Sequence, residues 1–508
     1  MRGSKLQMVD GPDTQHPQSL KAFLLPAVLL IGVLPLLVLS PAPLADWASH
    51  LSRVEVTERV LHGDPFWTAR YFFQGLLIPN AVLDAVVLGL VQLGMSLDLA
   101  GMCFLVICYG CFVSGFIRLA RIGSVPPVVA ASLAVTLFYT GNIMFGLLNY
   151  VTGLGLTMLA SAYCLQPQMR LGRRCLITLV ALPVILFCHI LAAGMFVAIY
   201  GAATVFHPFS VSPPNRLTDL RHRTLMLVPA LIASAICLVG YRLSPVSTDK
   251  LVISWADQYS VVGLIYGKIK QAAEGLSSGF NVADAMMVPL IAVILWCLWR
   301  NRNIVRPWQI AVVATLALLP LLAPFRIGEG MLFDTRMFVL PLIAILTMLR
   351  WASGLSQSWQ LSIVVYCSLR TLLIAFAWLS YSPLYQNIKT AFAALPPGST
   401  LLSAYSDEPS FYLDRAPPLH NIAALAVRDG VFVPSMFAEP SQQPLVIRPK
   451  WRPTWSWDHS ANARNPANLA SVRERARLFC RLDPKTHLFM LHVTQEEPFT
   501  IESPCDGQ

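Results

Sequence analysis

Charge is scarce in this chain. Only 13% of its 508 residues are Asp, Glu, Lys or Arg, while 55% are hydrophobic; soluble domains carry about a quarter charged residues. With a mean hydropathy of +0.59, most of the protein has to face lipid or other buried helices. Three further absences narrow the field. No phosphate-binding Gly-rich motif, HExxH or GxSxG stands where such a motif would act. No internal repeat is visible, which argues against the two-halved plan of many transporters. Outside the apolar runs there are only two cysteines, Cys480 and Cys505, and none of the eleven is spaced as a zinc or iron–sulfur site.

Apolar runs are what the sequence has in plenty. They recur near 21–40, 98–117, 125–142, 145–164, 175–188, 190–206, 224–243, 284–299, 308–325, 336–350 and 361–381, and predict about eleven transmembrane helices. The net charge of +10 is unevenly placed. Residues 1–382 hold 25 Lys and Arg against 15 Asp and Glu, whereas residues 383–508 hold 12 of each. A basic nucleic-acid-binding tail is therefore excluded, and the surplus belongs to membrane topology. With a cytoplasmic N-terminal tail (1–20), the inner connections carry Arg118 and Arg121, then Arg170, Arg173 and Arg174, then Arg216, Arg221 and Arg223, then Arg300, Arg302 and Arg306, and finally Arg350. That alternation satisfies the positive-inside rule.

The alternation requires that residues 75–94 do not span. Pro79, Asn80 and Asp84 in that stretch predict an interfacial or re-entrant helix inside a first outer loop, 42–97. The first apolar run is too long for a removed signal peptide and reads as a retained helix. An odd number of spans then places residues 383–508 outside. The expected protein is an all-α polytopic membrane bundle (21–382) in the bacterial inner membrane, with a small α/β extracytoplasmic C-terminal domain (383–508). In that domain STLLSAY reads as a strand, HNIAALAVRDG as a helix ending at Gly430, and VFVPSMF as an extended piece. Cys480 and Cys505 are expected to form a disulfide in an oxidising compartment. Trp451, Trp455 and Trp457 suit either a sugar-stacking platform or an interfacial or core role.

The polar chemistry concentrates in the outer segments. The stretch ADWASHLSRVEVTERVLHGD predicts a helix from about Trp47 to His62, stopped by Gly63. At helical spacing Asp46, His50, Arg53 and Thr57 share one stripe, and Trp47, Leu51, Val54 and Leu61 form an adjoining apolar stripe suited to a membrane surface. A carboxylate and an imidazole one turn apart can share a proton or a metal, or position a nucleophile. Asp46 also stands where an N-cap belongs. A second segment, Arg326 to Arg336, brings Arg326, Glu329, Asp334 and Arg336 together. Its arginines suit a lipid-linked phosphate, or else form the ion pairs Arg336–Asp334 and Arg326–Glu329. His189 lies at the outer boundary of a tight helical hairpin, as an anchor or a substrate contact. Arg370 sits near the middle of the last apolar run and is expected to point into the bundle, with Asn142 and Asn149 as possible neighbours.

The order of these features resembles the GT-C superfamily, membrane glycosyltransferases that use polyprenyl-phosphate-linked sugars. One span, an outer loop opening on an acidic residue, interfacial helices, further spans and a C-terminal outer domain make up the shared layout. More narrowly, PLADWASHLSR, GLLNYVTGLGLTMLA and AALAVRDGVFVPSMFAEPSQQPL look like a group of bacterial membrane proteins. The resemblance implies that Asp46 is the general base and that Arg326 and Arg336 hold the lipid phosphate; beside them, the residue pattern itself offers His50 as a positioning group and Arg53 and His189 as substrate contacts. It implies a polyprenyl-phosphate sugar donor and a sugar, lipid or protein acceptor. Many members carry two adjacent acids in the first loop. This chain has one, so a divalent metal is not indicated and no other cofactor is expected. The competing readings are a transporter or flippase of lipid-linked material, and a non-catalytic component of polysaccharide assembly.

Overall fold

Long apolar runs without charge have little choice but to satisfy their backbone internally, and in this chain they do so as helices. The computed structural model describes residues 16–206 apart from 77, 167 and 168; 253–255; 261–300; 306–327; 332–348; 356–405; 421–452 apart from 437 and 439–442; and parts of 474–502. Glu329, Cys505, Trp455, Trp457, Arg216, Arg221, Arg223, Arg302 and Arg350 lie outside the described residues, as does almost all of the expected run at 224–243.

The helices follow the apolar pattern in order: α1 (His16–Leu37), α2 (Trp47–Leu61), α3 (Pro65–Thr68), α4 (Val82–Gln92), α5 (Leu97–Ala120), α6 (Pro127–Phe138), α7 (Gly141–Met144), α8 (Leu148–Cys164), α9 (Leu171–Cys188) and α10 (Ile190–Phe206). After the gap come α11 (Val261–Leu276), α12 (Asn281–Ala285), α13 (Met287–Arg300), α14 (Pro307–Leu322), α15 (Phe333–Met337), α16 (Val339–Met348), α17 (Gln357–Leu379) and α18 (Ser382–Ala393). Among the described residues, Leu97–Ala120, Leu171–Cys188 and Gln357–Ala393 are each long and apolar enough to cross a membrane. Val261–Leu276 and Asn281–Val293 pass that test only together, bent by 106° at their junction. The other apolar helices are shorter. The expected re-entrant piece forms α4, too short to span.

The main core lies among α1, α5, α6, α8, α10, α14, α16 and α17, with Phe104, Phe112, Phe138, Trp308 and Trp378 buried in it. Small residues set its closest crossing. A Cβ on Gly155 of α8 would stand 2.5 Å from the Cys111 carbonyl carbon of α5, and one on Gly115 would stand 2.2 Å from the Gly155 oxygen. Arg370 on α17 points inward as expected. It donates to the carbonyls of Ala283, Thr136 and Tyr139, at 2.9, 3.0 and 3.1 Å, and is ion-paired with Asp284 at 3.7 Å. Two of these carbonyls close the C-terminal end of α6, the electronegative end of its dipole. The buried cation is thus a helix clamp. Asn142 bonds the Arg336 carbonyl, and Asn149 bonds Asn80 and Leu83.

A second core joins the first loop to the C-terminal segment. Trp67 and Tyr71 pack with Tyr385, Phe392, Phe432 and Trp451. Strand β1 (Tyr71–Phe73) pairs antiparallel with β5 (Leu445–Ile447), Tyr71 opposite Ile447. Strands β2 (Ile253–Ser254) and β3 (Arg326–Ile327) form a separate short ladder. Strand β4 (Thr400–Tyr405), which the sequence predicts, runs parallel to β6 (Leu488–Val493), and β6 runs antiparallel to β7 (Thr500–Glu502). HNIAALAVRDG forms a 3-10 helix, Ile422–Asp429, ended by Gly430 at φ +79°. Trp451 is a core residue, its indole N–H bonded to the Ala69 carbonyl. Cys480 is disulfide-bonded.

The apolar stripe of α2 does not lie on a membrane surface. Trp47, Leu51 and Val54 are buried in the main core, with only Leu61 exposed. Trp47 and Leu51 sit against Gly101 of α5, where a Cβ would be 2.9 and 2.8 Å from their ring and methyl carbons. The opposite side of α2 meets the 3-10 helix, where Ser52 Oγ donates to the Ala424 carbonyl. Burial on both sides follows from this sandwiched position, which periodicity alone does not distinguish from an interfacial helix.

Candidate functional site

Asp46 precedes α2 but does not cap it. No backbone N–H of the first turn reaches its carboxylate. The side chain instead accepts a hydrogen bond from Asn421 Nδ2 at 3.2 Å, across 375 residues of sequence. The turn that backs it is tight: Gly146 has φ +78°, and a Cβ there would lie 2.9 Å from the Asp46 Cβ. Only glycine takes both that conformation and that contact without strain. Asp46 is half-buried. Burial raises its pKa to about 7, against the opposing pull of the Arg336 and Arg53 guanidinium groups and the Asn421 bond. A carboxyl poised near neutrality takes a proton efficiently from a hydroxyl that is losing one.

His50 and Arg53, one turn further on, are committed to each other. Arg53 forms a bidentate pair with Asp84 of α4, at 2.6 and 2.7 Å. Its Nη2 also lies 3.1 Å from His50 Nδ1. Since arginine only donates, Nδ1 accepts, and His50 Nε2 donates to the Gly146 carbonyl at 3.2 Å. Burial and Arg53 hold His50 well below the usual imidazole range. Neutral, with both ring nitrogens engaged, it positions the Gly146 turn and has no nitrogen left to share a proton or a metal with Asp46. Arg53, fully buried, keeps one unpartnered nitrogen, Nη1.

The second half of the site comes from the far end of the sequence segment that begins at Arg326. Arg336 Nη1 donates to His189 Nε2 at 2.9 Å, and the His189 ring stands edge-on to Tyr150. Burial and Arg336 push the His189 pKa well below its ordinary value, so the ring stays neutral. The Arg336 carbonyl is gripped by Tyr150 OH at 2.9 Å and Asn142 Nδ2 at 3.2 Å. Its Nε is buried with no partner. The expected Arg336–Asp334 pair is replaced: Asp334 accepts from Lys268 Nζ at 2.7 Å and points away into α11. Arg326 stands in the β2–β3 ladder opposite Ser254.

Asp46 and Arg336 are thus drawn into one electrostatic neighbourhood, with His50, Arg53 and His189 as its frame. Asn421, Tyr150 and Gly146 are the members that sequence reasoning did not pick out. The GLLNYV stretch held a signal for two of them, a glycine followed within four residues by two polar groups inside an apolar run. Asn421 had none. A cation fits this site poorly, because the carboxylate's neighbours are guanidinium groups and imidazoles whose nitrogens are already engaged. Among the described residues no three His, Cys, Asp or Glu side chains are grouped to hold a metal.

No family model and no curated protein matches the chain in sequence. Two solved structures are similar to it over most of its length. One is ArnT from Cupriavidus metallidurans in the apo state, 11% identical, with a TM-score of 0.47, covering 84% of this chain and 87% of that one. The other is the arabinofuranosyltransferase AftD from Mycobacteria, 14% identical, with a TM-score of 0.41, covering 78% of this chain and 32% of that one.

Proposed function

We propose that this chain is a membrane glycosyltransferase of the GT-C kind, moving a sugar from a polyprenyl-phosphate donor to an envelope acceptor at the outer face of the inner membrane. The observation that carries the reading is the state of Asp46. Its carboxylate is free of its own helix, is raised to about 7 by burial, and has two arginines beside it with unpartnered nitrogens. A base next to cationic donors is what sugar transfer from a lipid phosphate needs. The acceptor hydroxyl gives its proton to Asp46 while its oxygen bonds the anomeric carbon. The bond from that carbon to the phosphate oxygen breaks, and the electron pair leaves with the polyprenyl phosphate. Arg336 faces the charge that develops on the leaving phosphate, and Arg53 adds its field from behind. The sequence resemblance to GT-C enzymes supports the same assignment, as does the shared core that sets the first loop and the C-terminal segment side by side.

The test is transfer of radiolabelled sugar by the purified protein in nanodiscs, from a panel of polyprenyl-phosphate donors. Asp46→Asn is expected to abolish transfer while the protein remains folded. Transfer that survives in the variant removes Asp46 from the chemistry, and absence of transfer by the wild type from every donor removes the enzyme reading.

A further inference from the structure

Helix α11 is inside out by the standard of a soluble protein. Val261, Val262, Ile265 and Ile269 are exposed, while Lys268, Gln271 and Glu274 are buried. A helix that turns its apolar side to lipid and a polar stripe inward needs something polar within. Lys268 has it: Nζ reaches Asp334 at 2.7 Å and the Pro320 and Ala323 carbonyls at 3.0 and 2.6 Å. Gln271 and Glu274 lack such hydrogen bonds at one oxygen each. Each is only 3% exposed, and each keeps an Oε1 atom with no hydrogen-bond donor. The same Glu274 Oε1 is ion-paired with Lys270 Nζ at 4.0 Å, too far for a hydrogen bond. Buried acceptors left unpaired cost free energy, and a bound ligand that donates to them recovers it.

Their position says which ligand. Gly275 abuts Thr335 so closely that a Cβ would lie 2.6 Å from its carbonyl oxygen, and Gly141 abuts the Glu274 carbonyl. Arg336 follows Thr335, and Asn142, which follows Gly141, holds the Arg336 carbonyl at 3.2 Å. The two orphan acceptors therefore stand on the helix backing the arginine whose own Nε is an orphan donor. We infer that Gln271 and Glu274 form a subsite for the hydroxyls of the sugar on the lipid-linked donor. The inference rests on the glycosyltransferase reading above. Donors on Arg336 and Arg53 complement phosphate oxygens, which only accept. Acceptors on Gln271 and Glu274 complement sugar hydroxyls. Residues three apart on a helix present their Cβ atoms about 5–6 Å apart, a span that suits two hydroxyls along one edge of a sugar ring.

The test compares lipid binding to the full chain in nanodiscs by native mass spectrometry. The probes are undecaprenyl phosphate and undecaprenyl phosphates bearing glucose, galactose or mannose. Wild type is expected to prefer at least one glycosylated lipid over the bare phosphate. Gln271→Met and Glu274→Met are each expected to cut that preference about tenfold, leaving affinity for undecaprenyl phosphate unchanged. Both variants are also expected to melt higher than wild type without lipid, because an apolar side chain replaces an orphan acceptor. Variants that keep the full preference or melt lower overturn the subsite, as does a wild type that binds bare and glycosylated lipids equally. A wild type that binds neither kind of lipid overturns the glycosyltransferase reading itself.

Discussion

Asp46 is a carboxyl whose usefulness and whose cost have one cause. Burial lifts it to about 7 from the 3.8 of a free aspartate, so between those two values the folded chain holds a proton that the unfolded chain has released. Stability contributed by this group is full below about pH 4 and is lost as pH rises toward 7. Discounted for its half-exposed position, the loss is about 1–2 kcal/mol. Asp46→Asn removes the charge that burial penalises, so the variant should melt higher than wild type at pH 8, with the gap closing toward pH 4. A gap that widens toward low pH contradicts the burial account. The rate of transfer should behave in the opposite sense, rising with pH through about 7 as the base loses its proton. Asn421 tunes that midpoint, because its bond to Asp46 favours the charged form. Asn421→Ala should move the rising limb of the pH–rate profile about half a unit to one unit upward and leave the plateau rate nearly unchanged. A role confined to packing would lower the plateau and leave the midpoint in place.

Helix by helix, the closest approaches are made by residues with no side chain to interpose. Gly115 and Gly155 bring α5 and α8 to backbone contact, the small-residue packing that membrane helices use in place of a hydrophobic driving force. Gly155→Val should separate the two helices and destabilise the bundle by about 1–3 kcal/mol, read as a lower melting temperature in detergent with the helical circular dichroism retained. The apolar runs were legible because a stretch of uncharged residues in lipid has one inexpensive backbone solution. The helix from Trp47 to Leu61 and the strand at Thr400–Tyr405 were legible from periodicity and stop signals. The burial of α2 on both sides was not, since a stripe of apolar residues reads the same against lipid as against another helix. The partners of the charged residues were hidden for a different reason. Asp334 had an arginine two positions away and chose a lysine 66 residues distant. Arg53 found Asp84, and Arg370 found three carbonyls and Asp284. Ion pairs are decided by which buried charge has no other recourse, and proximity in sequence carries little of that information.

At the level of the whole chain, the first loop and the C-terminal segment share one core and one strand pairing. Trp67 and Tyr71, with Leu39 and Val56, join a core built mostly from residues beyond 384. Strand β1 finds its partner at Leu445–Ile447, and Arg428 returns the contact to Asp98 at the start of α5, at 2.9 and 3.0 Å. This union is what carries Asn421 to Asp46. Trp67→Ala should therefore act at a distance. Loss of a buried tryptophan costs about 3–5 kcal/mol, here drawn from the second core alone, because Trp67 has no part in the main one. The expected result is a chain whose C-terminal segment is cut by protease at concentrations that spare the wild type, while α5, α8 and α17 stay protected. Transfer at pH 7 should fall, because without the Asn421 bond the base titrates higher, whereas binding of undecaprenyl phosphate through Arg336 should persist, since that arginine is held by His189, Tyr150 and Asn142 of the membrane bundle. If phosphate binding is lost in step with transfer, the two halves of the site melt together, and the base and the phosphate clamp belong to a single cooperative unit.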